Sequence, residues 1–311
     1  MRGEAVRDWF AQRPGITALA ALLAPVLIGV VGLGLAGLLP DVAPAGVLSH
    51  FSLPIPFISA PEPTPTPEAR EVVPAGRSPV QVPIIEYHYI RVNPDPRDRL
   101  GFNLSVTPSD FKAQMDWLQV NGYHAITLND LRAYFQEQKP LPSRPIVLTF
   151  DDGYADFYTT AFPILQAHGF TAVSYVVPGF LDHPRYMTSA QVEEVDGAGI
   201  EIGAHTMTHA DLTKAGPAQL VLEVEGSKNA LEKLLGHPVL DFCYPSGKFN
   251  DAVIASLRQF GLQSATTELP GTDHTWDGRL TWKRVRANGG ELLSEFIASL
   301  GTPEKTVKVA G

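Results

Sequence analysis

A single cysteine, Cys243, among 311 residues excludes an internal disulfide framework and any four-cysteine zinc site. It also lies too far along the chain to be the anchor of a bacterial lipoprotein. Charge is sparse as well, with charged residues at 18% and a net charge of −9. That balance, with no basic cluster, argues against nucleic acid as a partner. No Lys or Arg stands between Arg13 and Arg70, and no charge of either sign between Ile16 and Leu39. There is no internal repeat.

The uncharged run Ile16–Leu39 would span about 36 Å as a helix, enough to cross a bilayer with some tilt. Arg2, Arg7 and Arg13 precede it, so the positive-inside rule puts residues 1–15 in the cytoplasm and all that follows the run outside. A cleaved signal peptide competes, with Ala43-Pro-Ala45 as a processing site and a secreted product. Its apolar core would exceed the usual length of roughly 7–15 residues, which favours an uncleaved single-pass anchor in the cell membrane. Residues 40–80 are rich in Pro, centred on Pro61-Glu-Pro-Thr-Pro-Thr-Pro67. Such a stretch is extended and semi-rigid and reads as an extracytoplasmic linker.

Residues 81–311 are enough for one barrel-sized domain. Strand-like runs occur at Val82–Tyr87, His124–Leu128, Ile146–Phe150, Ala172–Val177, Glu201–Ala204, Val239–Tyr244, Gln263–Thr266 and Val285–Ala287. Helical patterns lie between most of them. Thr107 followed by Pro108 starts one helix that Gly122 ends. Pro217 to Leu235 reads as one long amphipathic helix, and Asn250 to Phe260 as a capped one followed by Gly261. This alternation predicts an α/β fold with a parallel sheet.

Asp151 and Asp152 stand where the apolar run Pro145-Ile-Val-Leu-Thr-Phe150 breaks into Gly153-Tyr154. Adjacent carboxylates at the end of a buried strand repel each other unless a cation or proton offsets them. Capping of the next helix is the plainer role for either. About fifty residues on, Ile200-Glu-Ile-Gly-Ala-His205-Thr-Met-Thr-His209 reads as a short strand ending in a polar turn. Its two histidines can reach one ion together with a carboxylate oxygen, leaving a coordination position open for water.

Thr149-Phe-Asp-Asp-Gly-Tyr154 with His205-Thr-Met-Thr-His209 resembles the first two motifs of the polysaccharide deacetylases, family-4 carbohydrate esterases with a NodB-like domain. Phe242-Cys-Tyr-Pro-Ser-Gly247 is similar to the third motif. Val82-Pro-Ile-Ile-Glu-Tyr-His88-Tyr89 looks like the opening of one exported branch, and the likeness covers about residues 80–300. It implies an irregular (β/α)7-type barrel with parallel strands. It further implies Asp151 as general base, and Asp152, His205 and His209 as ligands of one divalent metal, Zn²⁺ first and Co²⁺ or Ni²⁺ as alternatives. Tyr244, Pro245 and Ser246 would form the oxyanion and substrate side, with the Ser246 N–H facing the developing charge.

The chain departs from the family at two points. Cys243 stands where many members carry an Arg that orients the base, and Arg284 or Arg286, on one face of a late strand, would replace it, Arg284 being favoured by the branch. The late Leu-x-His that supplies the acid is absent, and His88 is the expected substitute, with His274 next. His124, His168, His183 and His237 receive no role. Tyr89, Tyr154, Tyr244 and Trp282 are candidates for stacking on sugar rings. The expected activity is removal of N-acetyl groups from an extracytoplasmic glycan, peptidoglycan or poly-N-acetylglucosamine, by a water that the metal and the Asp base activate. Two alternatives stand beside it, a catalytically impaired glycan-binding protein and an O-deacetylase of another acetylated polysaccharide.

Overall fold

Seven short segments become the strands of one sheet: β1 (Ile84–Tyr87), β2 (Pro145–Phe150), β3 (Val173–Val176), β4 (Glu201–Ala204), β5 (Asp241–Cys243), β6 (Ser264–Pro270) and β7 (Trp282–Arg286). The computed structural model describes residues 72–73, 79–95 and 97–301. The expected N-terminal arm, the span Ile16–Leu39 and most of the Pro-rich linker lie outside the described residues. Among the described residues no helix is long and apolar enough to cross a membrane.

Every neighbouring pair from β1 through β7 is parallel, and β7 returns to β1 through Val285↔Ile85 and Arg286↔Glu86. The sheet is therefore closed, and the α/β barrel with parallel strands is as expected. Parallel neighbours need long crossovers, and helices supply most of them. Pro108–Val120 and Leu128–Glu137 lie between β1 and β2, Phe162–His168 after β2, Ser189–Gly197 after β3, Gly226–Leu235 after β4, and Asp251–Gln259 after β5. Strand alternation divides the core in two. Ile85, Tyr87, Leu148, Phe150 and Phe242 pack outward with Phe111, Met115, Leu118, Leu165 and Leu257 of the helices. Ile84, Val147, Val173, Tyr175, Cys243 and Trp282 form the second cluster.

Two expected elements differ. His124–Leu128 contributes only His124–Ala125, which pairs with the start of β2 outside the ring. The Thr127 hydroxyl accepts from the Asp130 N–H while the Asp130 carboxylate accepts from the Thr127 N–H, so a capping box makes Leu128 the first residue of a helix instead. The long helix from Pro217 to Leu235 is interrupted by a π-helical turn at Val221–Glu225.

A buried ion cluster lies at the N-terminal end of the barrel. Arg132, from the helix after Thr127, pairs with Asp241 and with Glu201 at 3.4 Å, at the first residues of β5 and β4. The opposite, C-terminal mouth carries the site.

Candidate functional site

The Asp151 N–H donates to the Tyr87 carbonyl at 2.9 Å, extending the β1–β2 ladder by one residue. Asp151 thus keeps strand alternation and shares a face with Val147 and Thr149. Asp152 then turns left-handed, with φ 74°, which aims its carboxylate away from that of Asp151 and toward the end of β4. At that end Thr206 and His209 also adopt positive φ, 62° and 57°. The His205–His209 turn is therefore neither helical nor extended, and the turn itself brings the two rings together.

His205 Nε2 lies 3.4 Å and His209 Nε2 3.3 Å from Asp152 Oδ1. That oxygen is buried and has no hydrogen-bond partner among the described residues. His205 Nδ1 lies 2.7 Å from the Cys243 carbonyl, an acceptor that fixes Nδ1 as the protonated nitrogen and leaves the Nε2 lone pair facing Asp152. Lone pairs and a carboxylate oxygen converging on one point need a positive charge between them. A divalent cation fits this donor set. Without one, a proton substitutes. Burial lowers the His205 pKa, but the Cys243 contact and the two aspartates raise it well above the usual value. The same groupings of potential ligands include Asp151 with His205 and Cys243, and Glu86 with His88 and Asp151.

Asp151 is held differently. Arg284 Nη1 and Nη2 donate to its two oxygens at 2.8 Å each. Burial alone would raise the Asp151 pKa, yet the guanidinium beside it outweighs this and holds the carboxyl well below the usual range. Arg284 is itself buried and fixed by the Thr267 carbonyl at 2.9 Å and Thr149 Oγ1 at 3.1 Å. Cys243 Sγ lies 3.3 Å from Arg284 Nη2 and 3.5 Å from Asp151 Oδ2. The small side chain at that position leaves room for an arginine arriving from β7. Arg286 does not reach Asp151 by a hydrogen bond and pairs instead with Glu86 and Glu268.

His88 follows β1, with Nδ1 3.9 Å from Glu86 Oε1, and Glu86 Oε2 lies 3.3 Å from Arg284. His88 therefore stands at the rim beside the Asp151–Arg284 pair. His274 does not: it pairs with Val80, upstream of β1, and its Nε2 bonds the Val82 carbonyl at 2.9 Å, at the opposite end of the barrel. His168 and His237 pair with Asp116 and Asp196, and His124 bonds the Ser143 carbonyl, all away from the site.

The third segment forms a 3₁₀ turn, Pro245–Gly247, with Ser246 at φ 55° and Gly247 at φ 62°. A Cβ on Gly247 would come within 2.7 Å of Glu268 Cβ, so only glycine fits there. The structure corrects the expectation for aromatic side chains. Tyr244 is fully buried and its hydroxyl donates to the Leu280 carbonyl at 2.9 Å, so only its backbone is left to the turn. Tyr89 and Tyr154 stack on one another at 3.8 Å, Tyr154 also stacks with Tyr186 at 5.2 Å, and Arg91 covers Tyr89 at 3.4 Å. Trp282 is buried against Phe135 and His274. None of these four rings is an open platform for a sugar.

Sequence reasoning missed Glu86, which links Arg284, Arg286 and His88. A carboxylate inside the apolar run Ile84-Ile85-Glu86-Tyr87 was the signal that could have found it.

Residues 138–265 match a protein family described as polysaccharide deacetylase. Among curated proteins, the chain is 30% identical over 220 residues to YxkH of Bacillus subtilis, itself named only as a candidate polysaccharide deacetylase, covering 71% of this chain and 76% of that protein. It is 37% identical over 119 residues to the poly-beta-1,6-N-acetyl-D-glucosamine N-deacetylase of Escherichia coli, covering 33% of this chain and only 18% of that protein. Among solved structures, the Streptococcus pyogenes deacetylase PplD in complex with acetate superposes with a TM-score of 0.67 at 27% identity, over 72% of this chain and 100% of that one.

Proposed function

Because the chain belongs to the polysaccharide deacetylase family, we propose that it hydrolyses the N-acetyl groups of an extracytoplasmic glycan, releasing acetate and leaving free amines. The observation that carries this reading is the convergence of His205 and His209 on the orphaned carboxylate oxygen of Asp152, beside an aspartate that an arginine keeps ionised.

In this reading Asp152, His205 and His209 hold one divalent ion, Zn²⁺ first and Co²⁺ or Ni²⁺ as alternatives. Such an ion lowers the pKa of a water and polarises an acyl oxygen. Asp151 takes the proton from the attacking water, and Arg284 fixes both of its oxygens so that the base does not rotate away. The Ser246 N–H, presented by the Pro245–Gly247 turn, meets the charge that grows on the carbonyl oxygen. His88 gives a proton to the departing nitrogen, which leaves poorly as an anion. The remaining contacts to sugar are assigned to the polar rim, since the aromatic rings are engaged among themselves.

Poly-N-acetylglucosamine and peptidoglycan are the proposed substrates. The named activity of the E. coli relative supports the first. Residues 16–39 are proposed as a membrane anchor, with residues 1–15 cytoplasmic, residues 40–80 a stalk and residues 81–311 the extracytoplasmic enzyme. The uncharged run and the placement of Arg2, Arg7 and Arg13 support this. Acetate release by the purified chain from poly-β-1,6-N-acetylglucosamine, peptidoglycan and an O-acetylated xylan tests the substrate class. Release from an amide polymer is expected, and release from the ester polymer alone overturns the N-acetyl assignment.

A further inference from the structure

The turn that carries two of the proposed ligands is strained, and its support comes from elsewhere in the chain. Thr206 and His209 both have positive φ, a conformation that costs free energy in non-glycine residues and persists only where the surroundings impose it. On one side, the Gly179 N–H donates to the Met207 carbonyl at 3.0 Å, and a Cβ at Gly179 would sit 2.3 Å from that oxygen. On the other side stands Glu223. Its Oε2 accepts from the Thr208 N–H at 2.9 Å and its Oε1 from the Thr208 hydroxyl at 2.7 Å. The Glu223 backbone carbonyl accepts from the Met207 N–H at 3.0 Å.

Glu223 is 3% exposed, and no Lys, Arg or His forms an ion pair with it among the described residues. A carboxylate is rarely buried without such a partner. Here its hydrogen bonds go to the residue that immediately precedes His209. The π-helical turn Val221–Glu225 interrupts the α-helical register at this residue, and such turns gather at functional sites.

We propose that Glu223 is a positioning residue for the metal site: it holds the His205–His209 turn in the conformation that keeps both imidazoles on Asp152. The inference rests on the metal reading above. Residues that orient metal ligands typically govern affinity by about 10–100-fold. Glu223→Met removes both acceptors at similar length and is expected to weaken binding of the ion by that factor. Glu223→Gln can accept from the Thr208 N–H with its oxygen and donate to the hydroxyl with its amide. It should stay within a few-fold of wild type, because the effect is geometric and not due to charge. Thr208→Val deletes the hydroxyl contact alone and should fall between Gln and Met.

The test is the Zn²⁺ dissociation constant of each purified full-length chain, measured by competition with a chromophoric chelator well below the unfolding midpoint of the metal-free form. Weak binding by Glu223→Met and Thr208→Val with rescue by Glu223→Gln supports the proposal. Should Glu223→Met fail to fold, the pair Thr208→Val and Glu223→Gln still decides it. A wild-type chain that binds one ion while the folded variants bind it equally well overturns the role of Glu223 and leaves the metal reading standing. A wild-type chain that binds no ion overturns both.

Discussion

The two oxygens of Asp151 are each 2.8 Å from a guanidinium nitrogen of Arg284, and both residues are almost wholly buried. One partner comes from the end of β2 and the other from β7, the two strands that flank β1, so the pair bridges over β1. Removing one member of such a pair leaves an uncompensated buried charge and typically costs about 3–5 kcal/mol.

Arg284→Met should therefore lower stability at neutral pH by an amount of that order and abolish acetate release. The pH dependence has a definite sign. Asp151 has a depressed folded pKa, so the stability it contributes is present above the unfolded carboxylate pKa of about 4. It is lost as pH falls toward the folded value. Thermal unfolding should show a wide gap between wild type and Arg284→Met at pH 7 that narrows below about pH 4. Arg284→Lys should not restore activity, because an ammonium cannot make the bidentate contact. A gap that is constant with pH would mean that the pair does not govern this stability.

Asp156 supplies a prediction of opposite sign. Burial pushes its carboxyl up to about 6, against the weaker lowering effect of Arg91 and of backbone N–H groups, and its Oδ1 has no hydrogen-bond partner among the described residues. A raised acid pKa means that the folded state disfavours the charged form. The penalty is absent below the unfolded pKa near 4 and accumulates as pH rises through about 6. Asp156→Asn should therefore stabilise the chain at pH 7, by roughly 1–3 kcal/mol, and make no difference near pH 4. Chemical denaturation at the two pH values checks this, and a destabilised variant at pH 7 would contradict it.

Much of this was legible in the sequence, and the reason lies in the strands. Pro145–Phe150 is buried at every position, as its unbroken apolar run foretold, and the aspartates that follow it had to be explained by charge. The reading of His124–Leu128 failed because a local capping box overrode an apolar run that suits a strand equally well. The helix from Pro217 failed because a π turn leaves the apolar period nearly intact while shifting the register. Strand alternation put Arg284 and Arg286 on one face without separating them, and the family resemblance favoured Arg284; its bidentate grip on Asp151 depends on closure of the ring, which no local pattern encodes. The same closure brings Glu86 to Arg284 and Arg286, and the mutual stacking of Tyr89 and Tyr154 arises where the short strand Tyr89–Ile90, paired with Ser105–Val106, meets the turn after β2.

His88 gives a test that separates proton donation from ion binding. It lies beside Glu86 and outside the Asp152–His205–His209 group. His88→Ala should keep the ion yet lose roughly 10²-fold or more in amide hydrolysis. An acetate ester with a good leaving group needs little protonation and should be hydrolysed at nearly the wild-type rate. Equal loss on both substrates would assign His88 to substrate or metal binding instead of acid catalysis.

The proposed anchor predicts that the mature protein keeps Met1 and stays with membranes through salt and high-pH washes. Added protease should reach residues 81–311 in intact cells or spheroplasts. A soluble product beginning at Gly46 would show cleavage after Ala45, and full protection from protease would contradict the charge argument.

Asp151 and Asp152 are adjacent in sequence but face different partners, a guanidinium in one case and two imidazoles in the other. Metal content and acetate release of Asp151→Asn and Asp152→Asn, measured side by side by elemental analysis and on an amide polymer, test this division directly. Asp151→Asn is predicted to retain one ion per chain while activity falls by about 10²-fold or more, and Asp152→Asn to lose both ion and activity. Equal loss of metal in the two variants would mean that the aspartates share the ion, contradicting the separation of base from ligand.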